Sequence, residues 1–442
     1  MKSKEFYINN VKDLKAEDIV EGIRNGIVTF EELQDTGDFG IQIRKAVKNK
    51  LDEFKAEEKA YNAATTLPLL RDFLNTYPNS CYCEIVKEKI NQKNTEETAK
   101  QKRKFDEIKN NINDYKPDEI RDILGNDLLQ ELCEQLDIDY NVVVNYDEPE
   151  LRFNDTPKNP EDIPPGHTDV FFWGIPSSGK TCALSVILRT MKDKYTITNP
   201  SIETKFGATY RDSLVNLFNN KKTGYLPAAT QKDRTQYMPF LLKRREESNY
   251  RHVSFFELSG EVFKYFYELE HRSEILEDGD RGNVENAFKT LNLLLNSNNQ
   301  KIHFFFIDYK QETKGIRDKH NLTQENYLNA AATYFRDKND IFKKKTDAVF
   351  VIVTKADEIK GENKPELAKR FLSDNFGSFM DVIKNRCKED RVDFNVGIFS
   401  IGDVYFKGIC KINYSYAENI IEKLLEKIKP VRETLLFKIL NS

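Results

Sequence analysis

The 442 residues contain one tryptophan, four methionines, five histidines and six cysteines. Cys81 and Cys83 stand one residue apart and the other cysteines are scattered. That pattern is neither a disulfide framework nor the paired spacing of a zinc site. The histidines, at positions 167, 252, 271, 303 and 320, have no metal-binding spacing either. Long apolar runs are also missing. The longest, such as Phe304–Ile307 and Ala348–Val353, fall far short of the roughly 20 residues that a membrane helix needs. The opening MKSKEFYINN lacks the apolar core of a secretory signal. A chain of this kind is expected in a reducing, cytoplasmic compartment, with no membrane span.

Core-forming residues are plentiful: 39% of the chain is hydrophobic, with 30 phenylalanines and 20 tyrosines. The length suits two domains or three. The net charge of −4 conceals a split, because residues 1–150 carry 22 basic against 32 acidic side chains and residues 151–442 carry 46 against 40. Neither balance makes the concentrated basic face of a nucleic-acid binder.

Five of the 14 prolines lie between Pro149 and Pro165, which excludes a helix or an inner strand there. The stretch 146–168 is therefore expected to link two domains. Before it, residues 1–145 read as a small all-α region. Thr29 and Glu32 have capping-box spacing, a helix follows Thr66 and stops before Pro78, and Pro117 suits a helical first turn. With no catalytic constellation, this region is expected to bind a protein partner; whether the chain forms an oligomer is left open. From residue 169 the pattern changes. Apolar strands are expected at Val170–Trp173, Val253–Glu257, Ile302–Asp308, Ala348–Val353 and Val396–Ser400, with helices at Asn326–Phe342, Glu366–Lys388 and around Ile420–Ile428. Continuous apolar strands alternating with helices predict an α/β fold with a mostly parallel sheet covered on both faces.

Directly after the first of these strands stands Gly174-Ile-Pro-Ser-Ser-Gly179-Lys180-Thr181, followed by an apolar helix. This is the phosphate-loop pattern GxxxxGK[ST] in its strand–loop–helix context. Gly174 and Gly179 let the backbone curl so that successive N–H groups, Ser177 and Ser178 among them, point at phosphate oxygens. The helix N-terminus, with Cys182 in its first turn, adds partial positive charge. Lys180 brings a charge to the terminal phosphates, and the Thr181 hydroxyl suits Mg²⁺. Downstream, Thr354-Lys355-Ala356-Asp357 closes a strand and fits the [NT]KxD pattern. A carboxylate there can accept from guanine's ring N–H and amine, donors that adenine does not match. Asn49–Asp52 fits the same four-residue pattern, but it precedes the phosphate loop and lies in a charged helical stretch.

Over residues 169–405 the chain resembles a P-loop GTPase of the translation-factor-related class, the group containing Ras-like proteins, in a large bacterial-type form. Glu257-Leu-Ser-Gly260-Glu261 stands where that class has DxxG and a polar residue, and Ser400-Ile401 matches loosely the turn that supports the base. The resemblance implies GTP or GDP with Mg²⁺, hydrolysis of GTP, Gly260 at the γ-phosphate, and Glu261 near the attacking water. It also implies a metal-sensing hydroxyl in the first switch, expected at Thr230 with Thr235 second, and leaves Arg234 as a candidate internal arginine finger. Glu257 departs from the usual aspartate, so the metal acid is Glu257 or, as an alternative strand end, Asp308. A nucleotide-binding scaffold with little hydrolysis and an ATP-dependent P-loop protein are the competing readings.

Overall fold

The computed structural model describes residues 2–152, 157, 159–199, 208–218, 223–227, 235–272, 274–337 and 345–431. Packing divides the chain into two compact units, residues 1–107 and 108–442. The first unit is helical: α1 (Lys4–Asn10), α2 (Ala16–Arg24), α3 (Phe30–Gln34), α4 (Ile41–Ala63), α5 (Leu67–Thr76) and the start of α6 (Cys83–Asn110). The Thr29–Glu32 capping box forms in both directions, each bond 3.1 Å long. Tyr7, Ile19, Leu33, Phe39 and Val47 make one small core, and Leu70, Phe73 and Val86 make a second.

The division falls well before the proline-rich stretch. The helices α7 (Pro117–Leu136) and α8 (Tyr140–Val144), expected with the N-terminal region, pack into the second unit. Tyr146 meets Tyr225 edge to face, the Tyr225 hydroxyl donates to the Val142 carbonyl at 3.2 Å, and Lys411 pairs with Asp137 at 2.5 Å. The segment expected as a linker also joins this unit's core, through buried Leu151 and Ile163. Prolines limit the helix there to a single 3-10 turn at Pro160–Asp162, but the apolar residues between them still dock.

The second unit is built on a seven-stranded sheet in the order β2-β4-β5-β1-β6-β7-β8. These strands are β1 (Thr168–Trp173), β2 (Tyr195–Thr198), β4 (Gln236–Arg244), β5 (Arg251–Glu257), β6 (Gln300–Asp308), β7 (Thr346–Thr354) and β8 (Asp393–Ile398). The five strands from β5 through β8 are parallel, while β4 runs antiparallel to β5 and β2 to β4. All five expected strands are present. A separate sheet joins β3 (Thr223–Tyr225), β10 (Ile409–Ile412) and β9 (Gly402–Tyr405).

The alternation along β1 sorts the layers. Val170 and Phe172 face a core completed by α9 (Lys180–Lys194), α10 (Ala208–Asn216) and α17 (Ser415–Lys427). Phe171 and Trp173 face the other core, completed by α11 (Val262–His271), α12 (Asp278–Leu295), α14 (Gln324–Asp337), α15 (Lys364–Asn375) and α16 (Gly377–Glu389). A short helix, α13 (Tyr309–Thr313), follows β6. Phenylalanines supply much of the sheet surface, stacking at ring distances such as 4.6 Å for Phe304–Phe350 and 4.8 Å for Phe171–Phe256. The expected single helix over Glu366–Lys388 is two, α15 and α16, broken at Phe376, whose φ of −131° leaves the helical range.

Candidate nucleotide site

Strand β1 ends at Trp173 and the chain turns at once. Gly174 has φ +155°, Ser177 +62° and Gly179 +85°, so the loop needs glycine at its two ends. A Cβ on Gly174 would stand 2.8 Å from the Phe306 carbonyl and 2.5 Å from Ser178 Oγ. Lys180 and Thr181 then open α9. The Lys180 side chain folds back over the loop, its ammonium donating to the carbonyls of Gly174 at 2.8 Å and Ile175 at 3.1 Å. Burial lowers its pKa to about 8, with Glu257 and Glu261 opposing. Ser178 is fully buried and its hydroxyl oxygen has no hydrogen-bond partner. A buried cation with only carbonyls to bind, beside an unpartnered buried hydroxyl, suits an anionic guest. The loop fits the phosphates of a nucleotide.

Glu257 closes β5 opposite Phe172 of β1 and is completely buried. Thr181 Oγ1 donates to its Oε1, and Tyr210 donates to its Oε2 at 2.5 Å. Burial raises the Glu257 carboxyl above its usual range, while these two bonds and the Lys180 charge pull it down. Asp308 is placed differently. It ends β6 opposite Thr354 of β7, accepts from the Gln311 N–H at 3.0 Å as the cap of α13, and pairs with Lys355. Of the two acids considered for the metal, Glu257 touches Thr181 and Asp308 serves Lys355. A hydroxyl and a carboxylate are hard oxygen donors of the kind Mg²⁺ takes. Among the described residues no cluster of three or more His, Cys, Asp or Glu side chains could hold a metal.

The base motif connects to the phosphate loop. Thr354 Oγ1 donates to the Ser178 carbonyl at 2.8 Å and contacts that of Ile307 at 3.2 Å. Lys355 adopts φ +55°, which turns the chain out of β7. Asp357 is exposed, and Ser400 Oγ donates to its Oδ1 at 2.6 Å while accepting from the Gly402 N–H at 3.1 Å. Ile401 follows, partly buried. The loop after β8 thus holds the carboxylate that the sequence pattern singles out.

After Glu257, Gly260 lies against the phosphate loop so closely that a Cβ would stand 2.3 Å from the Pro176 nitrogen. Glu261 is buried and pairs with Lys264 at 2.7 Å. Cys182 is partly buried and Ser177 exposed. Thr235 is buried, whereas Thr230 and Arg234 lie outside the described residues. A cavity of about 300 Å³ opens beside the loop, lined among others by Pro176, Ser177, Lys264, Asp308, Arg317 and Lys355. Sequence reasoning missed Tyr210 and the Lys355–Asp308 pair, because neither belongs to a spacing pattern.

No protein-family model matches the chain, and no curated protein matches it. Among solved structures, it is similar to the signal recognition particle receptor SRb–GTP/SRX complex from Chaetomium thermophilum. The identity is 15% over 54% of this chain and 93% of that one, with a TM-score of 0.27. It is also similar to the GTP-bound Ski7 GTPase-like domain of S. cerevisiae, at 15% identity over 53% of this chain and 43% of that one, with a TM-score of 0.27.

Proposed function

We propose that the chain is a GTP-binding switch protein that hydrolyses GTP to GDP and phosphate with Mg²⁺. The observation that carries this is that Thr354 donates to the phosphate loop at the Ser178 carbonyl while Asp357, three residues on, has its carboxylate held by Ser400. This supports phosphate recognition and a guanine-reading carboxylate in one site. Lys180 and the loop amides would bind the phosphates, Thr181 and Glu257 would hold Mg²⁺, and Gly260 would approach the terminal phosphate. Bound Mg²⁺ would neutralise charge on the phosphate oxygens during attack by water. Thr230 is proposed as the switch hydroxyl, and residues 1–145 as the region that engages a protein partner. The division 1–145, 146–168 and 169–442 remains a proposal for how those roles are shared.

One observation favours a binding scaffold with little hydrolysis: Glu261, the residue nearest a water-orienting role, is already paired with Lys264. The contacts of Asp308 with Lys355 and with the Gln311 N–H that opens α13 support Glu257, rather than Asp308, as the metal acid. Labelled GTP and ATP binding, with and without Asp357→Asn, tests the assignment. The substitution should abolish a preference for GTP, and unchanged nucleotide choice would sink the guanine reading. Phosphate release by the purified chain with Mg²⁺ separates enzyme from scaffold.

A further inference from the structure

Replacing an aspartate by Glu257 lengthens the acid by one methylene, so its carboxylate would swing more freely at a site that needs a fixed oxygen. The structure shows what restrains it. Tyr210 comes from α10, in the long stretch between α9 and β4, and its ring is completely buried in the core with Leu214, Phe240 and Phe255. Packing therefore fixes the ring and, with it, the hydroxyl. That hydroxyl donates to Glu257 Oε2 at 2.5 Å, while Oε1 faces Thr181. The two carboxylate oxygens are divided between a core tyrosine and the phosphate-loop threonine.

We infer that Tyr210 is a positioning residue for the magnesium site, holding one oxygen of Glu257 so that the other stays with Thr181. The inference rests on the nucleotide reading above. It explains how a longer acid serves in this fold: the extra reach of Glu257 is taken up by a partner on α10. Outer partners of this sort commonly change metal affinity by about 10- to 100-fold when removed. The pairing also predicts interdependence. An aspartate at 257 would fall short of Tyr210, so removing the tyrosine hydroxyl should then matter little to the metal.

The test is the Mg²⁺ dependence of release of a fluorescent GDP analogue from the full chain. Wild type should release the analogue more slowly as Mg²⁺ rises. In Tyr210→Phe the Mg²⁺ concentration giving half the effect should rise about tenfold, while release in EDTA stays within about twofold of wild type. A purely structural role would accelerate release in EDTA and in Mg²⁺ alike. Adding Tyr210→Phe to Glu257→Asp should shift the midpoint less than about twofold beyond Glu257→Asp alone. A Tyr210→Phe midpoint equal to wild type, or equal acceleration in both media, overturns the role of Tyr210 and leaves the nucleotide reading standing. A wild type that ignores Mg²⁺ or does not bind the analogue overturns both.

Discussion

The two ends of β1 bury charge in opposite ways. At its start, Asp169 is fully buried and accepts from Ser297 Oγ at 2.6 Å and Asn299 Nδ2 at 3.1 Å. Nearby, buried Lys301 donates to the carbonyls of Ser297 at 2.7 Å and Asn299 at 2.9 Å. Six residues of strand away, Lys180 binds only loop carbonyls and Ser178 Oγ has no partner. Both ends place a lysine and a carboxylate in the interior. The first is a closed network that ties β6 to the entry of β1, and the second is left short of an anion. Incomplete satisfaction, rather than burial, separates a site from a structural network.

This contrast can be broken most forcefully at the phosphate loop. Lys180→Ala should weaken GTP binding at least about 100-fold, or about 3 kcal/mol, in a calorimetric titration. A loss under tenfold would put Lys180 with the structural group. Lys301→Ala should do the reverse. It strips the buried network of its cation and should lower unfolding free energy by about 3 kcal/mol in urea titrations, with GTP affinity of the folded protein unchanged.

Asp169 sharpens the comparison through pH. Burial raises its pKa from 3.8 to about 6, so the folded chain holds that proton more tightly than the unfolded chain. Its contribution is full below about pH 4 and fades as pH climbs through 6. Asp169→Asn should remove that slope, a difference on the order of 3 kcal/mol between pH 4 and pH 7; parallel pH profiles for the two proteins would refute it. The smallest expected effect is at Ser400→Ala, which frees the Asp357 carboxylate. It should weaken GTP about fivefold with no change in melting temperature, and an equal loss for ATP would detach Ser400 from base recognition.

The sheet was legible where strands are buried on both faces, because runs such as Ala348–Val353 have no polar alternation to confuse them. The strand β4 was not, since Pro239 stands inside it and argues locally against a central strand. The edge strand β2 is four residues long and largely polar. Helix α15 could not be told from α16, because the apolar pattern continues across the break at Phe376. At the site, the loop, the base motif and Glu257 follow spacing rules. Tyr210 follows none: its bond to Glu257 spans 47 residues, and only the folded sheet brings the two together. The docking of the proline-rich stretch was hidden for a related reason. Proline content marks where helices stop, but docking of Leu151 and Ile163 depends on apolar surfaces formed far away in the chain.

The lone tryptophan of the chain has a consequence of its own. Trp173 immediately precedes Gly174, is fully buried, stacks on Phe305 at 5.7 Å, and donates its indole N–H to His303 Nδ1 at 3.0 Å. Burial pushes His303 down to about 3, so that ring stays neutral, and an imidazolium's quenching of indole emission is absent at ordinary pH. Tryptophan fluorescence from this chain therefore originates at one spot, the foot of the phosphate loop. The protein carries an optical reporter of that loop without any attached label.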